Sequence, residues 1–371
     1  MDKLRIAAYG GFRSLPPKAG AAGSDKFALE LYPRIAKRGH SIVAYCRVYP
    51  GDTDIPLAEF EGVKLIYHKT VKKAGYDTLI HSAKVTFSII FHNTADVIHL
   101  HSGANSMWAI FLRLAGKRVV VSQFAMDWKR DKWPWYAKLF YMISNYITAY
   151  LPNKVAFDNV YTKEYFEKKF KRNYNFIPYG SEVKMPPEGL SILEKLELVP
   201  NEYFLFVGRF IPDKGLHLLV DAFETLKTDK KLVIVGGSPN PGEYEMTIKN
   251  TKDKRIIFPG YVYGDDTNFL MKNAYSYIQP SLIEGLSPVI LTVMGLGTPL
   301  ICSDLVENIF ITKSNAVHFI SGNSNSLHEA ISYALSNSEV LLRNASAGQK
   351  DILERFNWEN ITDQYIDLLK K

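Results

Sequence analysis

Two cations and one carboxylate in the second half of this 371-residue chain are the side chains best suited to chemistry. Arg209 follows a strand-like apolar run, Lys214 precedes a helix-like run, and Glu284 opens the stretch EGLSPVILTVMGLGTPLICSD. Within that stretch Ser287-Pro288 indicates a helix start, whose unpaired N–H groups attract a phosphate. A charge pair at about 4 Å is worth roughly 4 kcal/mol at an effective dielectric constant near 20. The set predicts a clamp for a departing diphosphate.

Alternating strand and helix patterns place these residues at one edge of a sheet. A buried strand, a loop and an amphipathic helix occupy 203–223, and further strand patterns follow at 231–237, 255–263, 275–281 and 299–304. In a doubly wound sheet the ends of neighbouring strands line a common crevice. Arg209 and Lys214 are therefore expected to face the same crevice, and this half is predicted to be a doubly wound α/β domain.

The first half begins with a βαβ pattern. A strand is predicted at 4–9, a small-residue loop at 19–23 and a second strand at 41–46. Ser24 is the expected N-cap of the intervening helix, whose apolar face carries Phe27, Leu31 and Ile35. The loop lacks the G-x-G-x-x-G pattern of a dinucleotide site. Two interpretations stay open: a tight turn that lets the helix pack, or a loop that binds an anion or substrate.

Further strand patterns at 96–103 and 118–124 surround a helix near 106–114. His99 and His101 share one strand face, but no cluster of carboxylates or cysteines lies near them, which favours a hydrogen-bonded core or cleft role over a metal pair. Cys46 and Cys302 lie in apolar runs and are predicted to be reduced core thiols. No metal site is predicted.

Positive charge is concentrated in residues 117–172, which hold twelve Lys and Arg against five Asp and Glu. That excess equals the net charge of the whole chain, +7. Basic residues alternate with tryptophans in the group Trp128, Lys129, Arg130, Lys132, Trp133 and Trp135. Such a mixture suits an anionic membrane interface, whereas nucleic acid and a solvated basic rim are the alternatives.

The helix pattern that follows this basic stretch has aromatic and aliphatic residues at helical spacing. They are Tyr136, Phe140, Ile143, Ile147 and Tyr150. This spacing is typical of a buried face, so most of these aromatic residues are predicted to belong to the core.

The length and a hydrophobic fraction of 47% predict two domains. Pro and Gly density at 185–189 indicates the linker, so the predicted domains are 1–184 and 185–355. No apolar run has the length of a signal peptide core or a membrane span. We expect a cytoplasmic protein, either free or peripheral on the inner face of the plasma membrane.

At several motifs the chain resembles the GT-B glycosyltransferases of family GT4, in the branch of bacterial rhamnosyltransferases that build cell-wall and capsule polysaccharides. The matching residues are Ala22-Gly23-Ser24-Asp25, Lys37-Arg38-Gly39-His40, Asp127-Trp128-Lys129-Arg130, Ile177-Pro178-Tyr179-Gly180, Val207-Gly208-Arg209, Asp213-Lys214-Gly215, Gly260-Tyr261-Val262, Glu284-Gly285, Gly297-Thr298-Pro299 and Ser303-Asp304. The resemblance implies two Rossmann-like domains facing a central cleft. It also implies that a C-terminal helix at about 356–371 packs back on the first, acceptor-binding domain, while the second binds the nucleotide sugar.

Carried over position by position, the resemblance implies that Arg209 and Lys214 bind the donor diphosphate and that Glu284 binds donor-sugar hydroxyls. A phosphate cap is implied at the backbone of Pro288, Val289 and Ile290. It implies a retaining reaction that needs neither metal nor cofactor, with a nucleoside diphosphate sugar as the donor.

Other implied roles fall on single positions. Backbone near Val262 meets the base, Gly23 closes over the donor, and Asp127 is an acid near the acceptor, completing the catalytic set with Arg209, Lys214 and Glu284. The chain departs from the family pattern at two places. Thr292 stands where relatives have a second Glu on the ribose, and Phe124 stands where many have a His or another polar residue.

These features predict transfer of a sugar, with rhamnose as the candidate, to a glycan or a polyisoprenoid-linked saccharide in polysaccharide synthesis. The alternative is a non-catalytic partner in a glycan synthase complex that binds a sugar nucleotide or a glycan. Binding of nucleic acid through 117–172 ranks last.

Overall fold

The computed structural model describes residues 3–17, 23–52, 57–73, 75–124, 134–181, 185–189, 191–238 and 242–370. The chain forms two compact units, the first from Met1–Tyr179 and Trp358–Lys371 and the second from Gly180–Asn357. The division follows Tyr179, a few residues before the position that composition indicated. The ring of Tyr179 packs 5.1 Å from that of Phe27, which ties this stretch to the first unit.

The described part of the first unit contains one sheet in the order β3-β4-β2-β1-β5-β6-β7-β8. Its strands are β1 (Arg5–Tyr9), β2 (Ser41–Val48), β3 (Glu59–Phe60), β4 (Val63–Lys69), β5 (Val97–His101), β6 (Arg118–Gln123), β7 (Lys154–Phe157) and β8 (Asn175–Phe176). Neighbouring strands are parallel except β3 and β4. Strand order reverses between β1 and β5, the doubly wound arrangement.

The helices of the first unit are α1 (Gly23–Lys37), α2 (Tyr76–His92), α3 (Ala109–Leu114), α4 (Trp135–Tyr150), α5 (Val160–Phe170) and α14 (Trp358–Lys370), with a 3-10 turn at Gly103–Trp108. The expected apolar face of α1 is buried. The expected N-cap is wrong, because α1 begins at Gly23 and Ser24 lies in its first turn. The Ser24 hydroxyl donates to the carbonyl of Gly11 at 3.0 Å instead.

Helix α14 returns to the first unit and is held there by charge and hydrogen bonds. Arg38 pairs with Asp363 at 2.9 Å, and Arg118 donates to the carbonyl of Leu369 at 2.9 Å. Inside, the hydroxyls of Tyr365 and Ser122 are 3.2 Å apart. These contacts explain why a segment distant in sequence is part of this unit.

Helix α4 presents its faces opposite to the sequence prediction. Tyr136, Ile143 and Tyr150, predicted to be core residues, are all more than half exposed. The buried residues of this helix are Ser144, Asn145, Thr148 and Ala149. The Thr148 hydroxyl donates to Ser106 Oγ at 2.8 Å, so the inner contact of α4 uses small and polar side chains. The helical period was predicted correctly, but the face that was predicted to be buried is the exposed one.

His99 and His101 are fully buried and hydrogen-bonded, which agrees with the hydrogen-bonded role that was favoured over a metal pair. The Tyr32 hydroxyl lies 3.0 Å from His99 Nδ1 and also contacts His101 Nε2. His99 Nε2 is 2.8 Å from Ser122 Oγ. Burial lowers the pKa of His99 to about 3 and that of His101 well below its ordinary value. Cys46 and Cys302 are buried and neither is in a disulfide, as predicted.

The described part of the second unit contains a parallel sheet in the order β11-β10-β9-β12-β13-β14. The strands are β9 (Tyr203–Arg209), β10 (Lys231–Gly237), β11 (Ile256–Gly260), β12 (Ser276–Gln279), β13 (Leu300–Ser303) and β14 (Val317–Phe319). The helices are α6 (Ile192–Lys195), α7 (Leu216–Glu224), α8 (Glu243–Lys249), α9 (Asp265–Lys272), α10 (Pro288–Gly295), α11 (Val306–Thr312), α12 (Ser324–Ser336) and α13 (Ser338–Arg355).

A core of side chains from β9, β10 and helices α7 and α12 holds this unit together, including Phe204, Phe206, Leu219, Phe223 and Ile331. The apolar runs of β9 and β10 are buried, as parallel strands covered by helices should be. None of the helices in the described ranges of either unit has both the length and the apolar character needed to cross a membrane.

The first unit should lose stability in acid, and His99 should carry one proton of that loss. The folded pKa of His99 is below its value of 6.5 in the unfolded chain, so its contribution is complete above pH 6.5 and is lost as pH falls toward 3. The loss between pH 7 and pH 5 should be about 2 kcal/mol. Urea unfolding followed by tryptophan fluorescence measures it, since all five tryptophans fall within the ranges of this unit.

The variant His99→Gln isolates this contribution from those of other buried histidines. Its unfolding free energy should fall less steeply between pH 7 and pH 5, by about one bound proton. Equal slopes for the variant and the natural protein would contradict the assignment.

Candidate functional site

Two loops of the second unit meet at the carboxyl ends of β9 and β12. The backbone N–H of Leu282 donates to the carbonyl of Asp213 at 2.9 Å, which joins the loop after β9 to the loop after β12. Gly215 lies between them with φ of 64°, and a Cβ at this position would overlap the carbonyl oxygen of Pro280. Only glycine allows this close approach.

The meeting of the two loops brings Lys214 Nζ onto Glu284 Oε1. The same carboxylate oxygen accepts from Gln279 Nε2 at 2.5 Å and from Ser281 Oγ at 2.7 Å. The Glu284 side chain is only 9% exposed, so these three donors offset the cost of burying its charge. Its other oxygen, Oε2, has no hydrogen bond within the described part of the chain.

A further shell of contacts fixes the donors of Glu284. The hydroxyl of Tyr277 lies 3.0 Å from the carbonyl of Val207 and 3.1 Å from Gln279 Oε1. This contact points the Nε2 end of Gln279 at the carboxylate. Burial raises the pKa of Tyr277, which keeps its hydroxyl a donor. The carbonyl of Ser281 accepts from Ser303 Oγ at 2.7 Å.

Arg209 lies at the end of β9, the strand next to β12, and its side chain is exposed. No ion pair or hydrogen bond to it occurs among the residues that the structure describes. Its charge acts on Tyr261: burial is the main cause that raises the pKa of Tyr261, and Arg209 opposes that rise. The Tyr261 and Tyr263 rings are parallel, with centroids 5.8 Å apart, and both are about half exposed or more.

The position of this cluster follows from the topology. Strand order 3-2-1-4-5-6 runs outward in both directions from β9 and β12, so the loops after these two strands separate and leave a crevice. Arg209 and Lys214 follow β9, and Glu284 follows β12. Lys214 contacts Glu284, and Arg209 ends the strand next to the one that Glu284 follows; the binding roles predicted for them stay predictions.

The start of α10 offers fewer donors than its position in sequence suggests. Ser287 is the N-cap, and its Oγ is 3.5 Å from the N–H of Ile290. Pro288 has no N–H. The N–H of Val289 is therefore the first-turn group left open to an anion. Thr292 donates its hydroxyl to the carbonyl of Pro288 at 3.0 Å and is half-buried.

The other predicted site residues belong to other elements or fall outside the described ranges. The carbonyl of Val262 accepts from the Thr267 hydroxyl at 2.7 Å. Gly23 is exposed at the start of α1 in the first unit, where Phe124 packs 5.5 Å from the ring of Phe27. The residues outside the described ranges are Asp127, Trp128, Lys129, Arg130, Lys132 and Trp133.

Within the described residues, no three His, Cys, Asp or Glu side chains are grouped so that they could hold a metal ion. The prediction that neither metal nor cofactor is required stays a prediction.

Comparison with known proteins found a family match in the part of the chain that carries this cluster. Residues 192–351, which lie within the second unit and make up less than half of the chain, match the model of the family Glycosyl transferases group 1. The O-antigen chain mannosyltransferase C of Escherichia coli is 28% identical over 236 residues, which cover 60% of this chain and 59% of that protein. The matched part is thus less than two thirds of the relative's length.

Solved structures resemble the chain over nearly its full length. A sucrose-phosphate synthase from Thermosynechococcus elongatus has a TM-score of 0.81 and 19% identity, and the match covers 98% of both chains. Anabaena HepE in complex with UDP and glucose has a TM-score of 0.79 and 16% identity, again over 98% of both chains. The predicted GT-B fold, with two parallel-sheet α/β units, is confirmed.

The sequence pattern did not predict the partners that hold the Glu284 carboxylate. Gln279 and Ser281 were available as a signal, because polar residues at the end of a buried strand, just before Glu284, often face a site. Tyr261 belongs to one of the matching motifs, but no role was predicted for it or for Tyr263. Their parallel rings depend on the backbone turn after β11, which the sequence pattern did not predict.

The contact between the two loops should depend on Gly215. The variant Gly215→Ala adds a positive-φ cost of about 1–2 kcal/mol and an overlap with Pro280 of about 1–3 kcal/mol. Gly322→Ala is the matched control, since it also has a positive φ but only an ordinary contact at 3.8 Å. Thermal unfolding followed by circular dichroism should show the larger loss for Gly215→Ala. Equal losses would contradict the close approach.

Proposed function

We propose that this protein is a glycosyltransferase that moves a sugar from a nucleoside diphosphate sugar to a glycan or a polyisoprenoid-linked saccharide. The observation that carries the proposal is the buried Glu284 carboxylate, held at one oxygen by Lys214 and open at the other, with Arg209 at the same sheet edge. The group 1 domain match over 192–351 supports it.

In this proposal the donor diphosphate lies between Arg209, Lys214 and the N–H of Val289. Each cation within about 4 Å of a phosphate oxygen contributes roughly 4 kcal/mol at an effective dielectric constant near 20. The charge on the diphosphate grows as its bond to the sugar breaks. The cations therefore stabilise the transition state more than the bound donor.

Glu284 binds the sugar through the oxygen that is left open. Oε2 accepts from sugar hydroxyls, while Oε1 stays with Lys214, Gln279 and Ser281. A lysine ammonium has three N–H donors, so Lys214 has donors left for a phosphate oxygen. One ion pair would then hold both the sugar and its leaving group in register.

The reaction we propose retains the anomeric configuration and needs no metal. The acceptor hydroxyl attacks the anomeric carbon from the face that the diphosphate leaves, a new carbon–oxygen bond forms, and the bond to the phosphate oxygen breaks. The hydroxyl proton passes to the leaving phosphate or to Asp127. Gly23 belongs to the donor side in this account, and Trp128, Lys129, Arg130, Lys132 and Trp133 to the acceptor or membrane side.

The nucleoside would be held more weakly than in a site with two carboxylates. Backbone at Val262 meets the base, and the Thr292 hydroxyl meets the ribose with Pro288 and Ile290 beside it. A neutral hydroxyl gives roughly half the strength of a charge-assisted hydrogen bond. We therefore expect a modest contribution from the ribose.

Rhamnose on a dTDP carrier is the proposed donor, drawn from the rhamnosyltransferase branch of family GT4. The relative in Escherichia coli is named a mannosyltransferase of the O-antigen chain, and HepE is described with UDP and glucose. The O-antigen chain in the name of the first relative supports a glycan acceptor. We place the acceptor in the cell wall or capsule and the protein at the inner face of the plasma membrane, as a peripheral protein.

A panel of nucleoside diphosphate sugars tests the proposal. Thermal shift with dTDP-rhamnose, GDP-mannose and UDP-glucose should identify one donor, because a ligand at 100 times its dissociation constant adds about 2.7 kcal/mol of stability. Release of nucleoside diphosphate from that donor should then follow, and Arg209→Ala should reduce it by at least about a hundredfold. Lys227→Ala, an exposed cation elsewhere in the unit, is the control. Donor binding without turnover would favour the non-catalytic alternative.

A second prediction separates the structural and chemical roles of Lys214. Lys214→Ala leaves the Glu284 carboxylate buried without its cation and should cost about 1–3 kcal/mol of unfolding free energy. Adding Glu284→Gln removes that charge and should recover part of the lost stability, while sugar transfer stays absent in both variants. Thermal unfolding and product release measured on the same preparations check this. Recovery of turnover in the double variant would contradict it.

A further inference from the structure

The outward face of α4 is apolar along its whole length. Its exposed residues are Trp135, Tyr136, Leu139, Met142, Ile143, Tyr146 and Tyr150, and Trp135 alone is 77% exposed. They recur every three or four positions, so they form one stripe on the helix. Lys138 is the one charged residue in the sequence of α4, and it does not belong to this stripe.

This stripe does not arise from a poorly packed helix. The opposite face of α4 is buried, and the Thr148 hydroxyl there lies 2.8 Å from both Ser106 Oγ and the carbonyl of Ser144. The helix therefore has a settled inner face made of small and polar residues. Its large apolar residues lie outside, which is costly in water and suits an apolar environment.

Exposed cations border one end of the stripe. Lys169 lies 5.1 Å from the ring centroid of Tyr146, and the guanidinium of Arg172 lies 5.2 Å from that of Tyr150. Lys168 and Lys171 are also exposed beside them. The acidic neighbours are Glu164 and Glu167, and Glu167 pairs with Lys163 at 2.9 Å. The basic rim, defined as Lys168, Lys169, Lys171 and Arg172, therefore has excess positive charge.

We propose that the α4 stripe and the basic rim form a docking surface for a lipid bilayer that contains anionic lipids. Trp and Tyr have an apolar body and a polar tip, the chemistry of the headgroup region, and Lys and Arg attract anionic headgroups. A helix with one apolar face and a basic border lies in the plane of such an interface.

Charge decides between this occupant and a second copy of the chain. A symmetric dimer through the stripe would bring two basic rims to the same interface without matching acidic residues on it. Nucleic acid would meet the cations but would gain little from Leu139, Met142 and Ile143, which cannot read bases or stack with them. An anionic bilayer matches both parts of the surface.

The inference rests on the proposed function in one respect, the lipid-linked acceptor, for which docking would place the first unit at the membrane. Donor chemistry belongs to the second unit and does not enter the vesicle test. Failure of the docking surface and failure of sugar transfer can therefore be distinguished by measuring donor binding and turnover on the same preparations.

Flotation with phospholipid vesicles tests the surface in the full-length protein. The natural protein should bind vesicles of phosphatidylcholine and phosphatidylglycerol, bind phosphatidylcholine alone much more weakly, and release as salt is raised. The variant Trp135→Ser/Ile143→Ser should lose most of this binding, since both side chains are exposed. Tyr333→Ser, an exposed aromatic of α12 in the second unit, should leave binding unchanged.

Charge is tested separately. Each cation near an anionic surface changes partitioning about fivefold, so Lys168→Glu/Lys171→Glu should weaken binding by at least about twentyfold. Lys252→Glu/Lys254→Glu, two exposed lysines of the second unit, has the same charge change and should leave binding unchanged.

Three results would overturn the proposal. They are no binding of the natural protein to anionic vesicles, equal binding by the Trp135→Ser/Ile143→Ser variant, and a dimer in sedimentation that this variant dissociates without any vesicle binding. The last result would assign the stripe to a second copy of the chain.

Discussion

The ion pair between Lys214 and Glu284 is the constraint around which the second unit is arranged. A carboxylate with so little exposure is stable only where donors surround it. Lys214 reaches this carboxylate because β9 and β12 are neighbours in the sheet and because the loops that follow them touch, whereas Gln279 and Ser281 come from the end of β12 itself. The glycine at 215 permits that contact, since its αL backbone leaves no room for a side chain against Pro280. The strand order, the contact between the two loops and the donors around Glu284 therefore depend on one another.

The asymmetry of Glu284 gives this arrangement its chemical meaning. If both oxygens were saturated, the pair would be structural, and a well-packed apolar substitute could serve equally well. Oε1 takes every donor that the described residues supply, and Oε2 takes none. An open acceptor beside a cation suits a ligand that has hydroxyl groups next to a phosphate. This reasoning, with the group 1 domain match, underlies the proposed reaction.

The sequence was sufficient for the fold and for the contact between Lys214 and Glu284, and the reason is topological. Arg209, Lys214 and Glu284 follow buried strands, and parallel sheets bring strand ends together, so position along the chain predicted proximity. Gln279 and Ser281 escaped because their role depends on side-chain direction, which the hydroxyl of Tyr277 helps to set. A phosphate cap was predicted at the backbone of Pro288, Val289 and Ile290. Pro288 has no N–H and the N–H of Ile290 is capped by Ser287, so the N–H of Val289 is the donor that is left for a phosphate.

Helix α4 shows where pattern reasoning fails for a physical reason. A helical period of apolar residues indicates that a helix has one apolar and one polar face, but it does not show which of the two faces packs against the rest of the protein. In α4 the inward face is the one with small and polar side chains. Thr148 Oγ1 lies 2.8 Å from Ser106 Oγ there, a close contact that large aromatic residues would prevent. The aromatic residues are left outside. Under the proposal above, such a stripe is favourable where it meets the headgroup layer of a bilayer, and the basic rim favours a bilayer that contains anionic lipids.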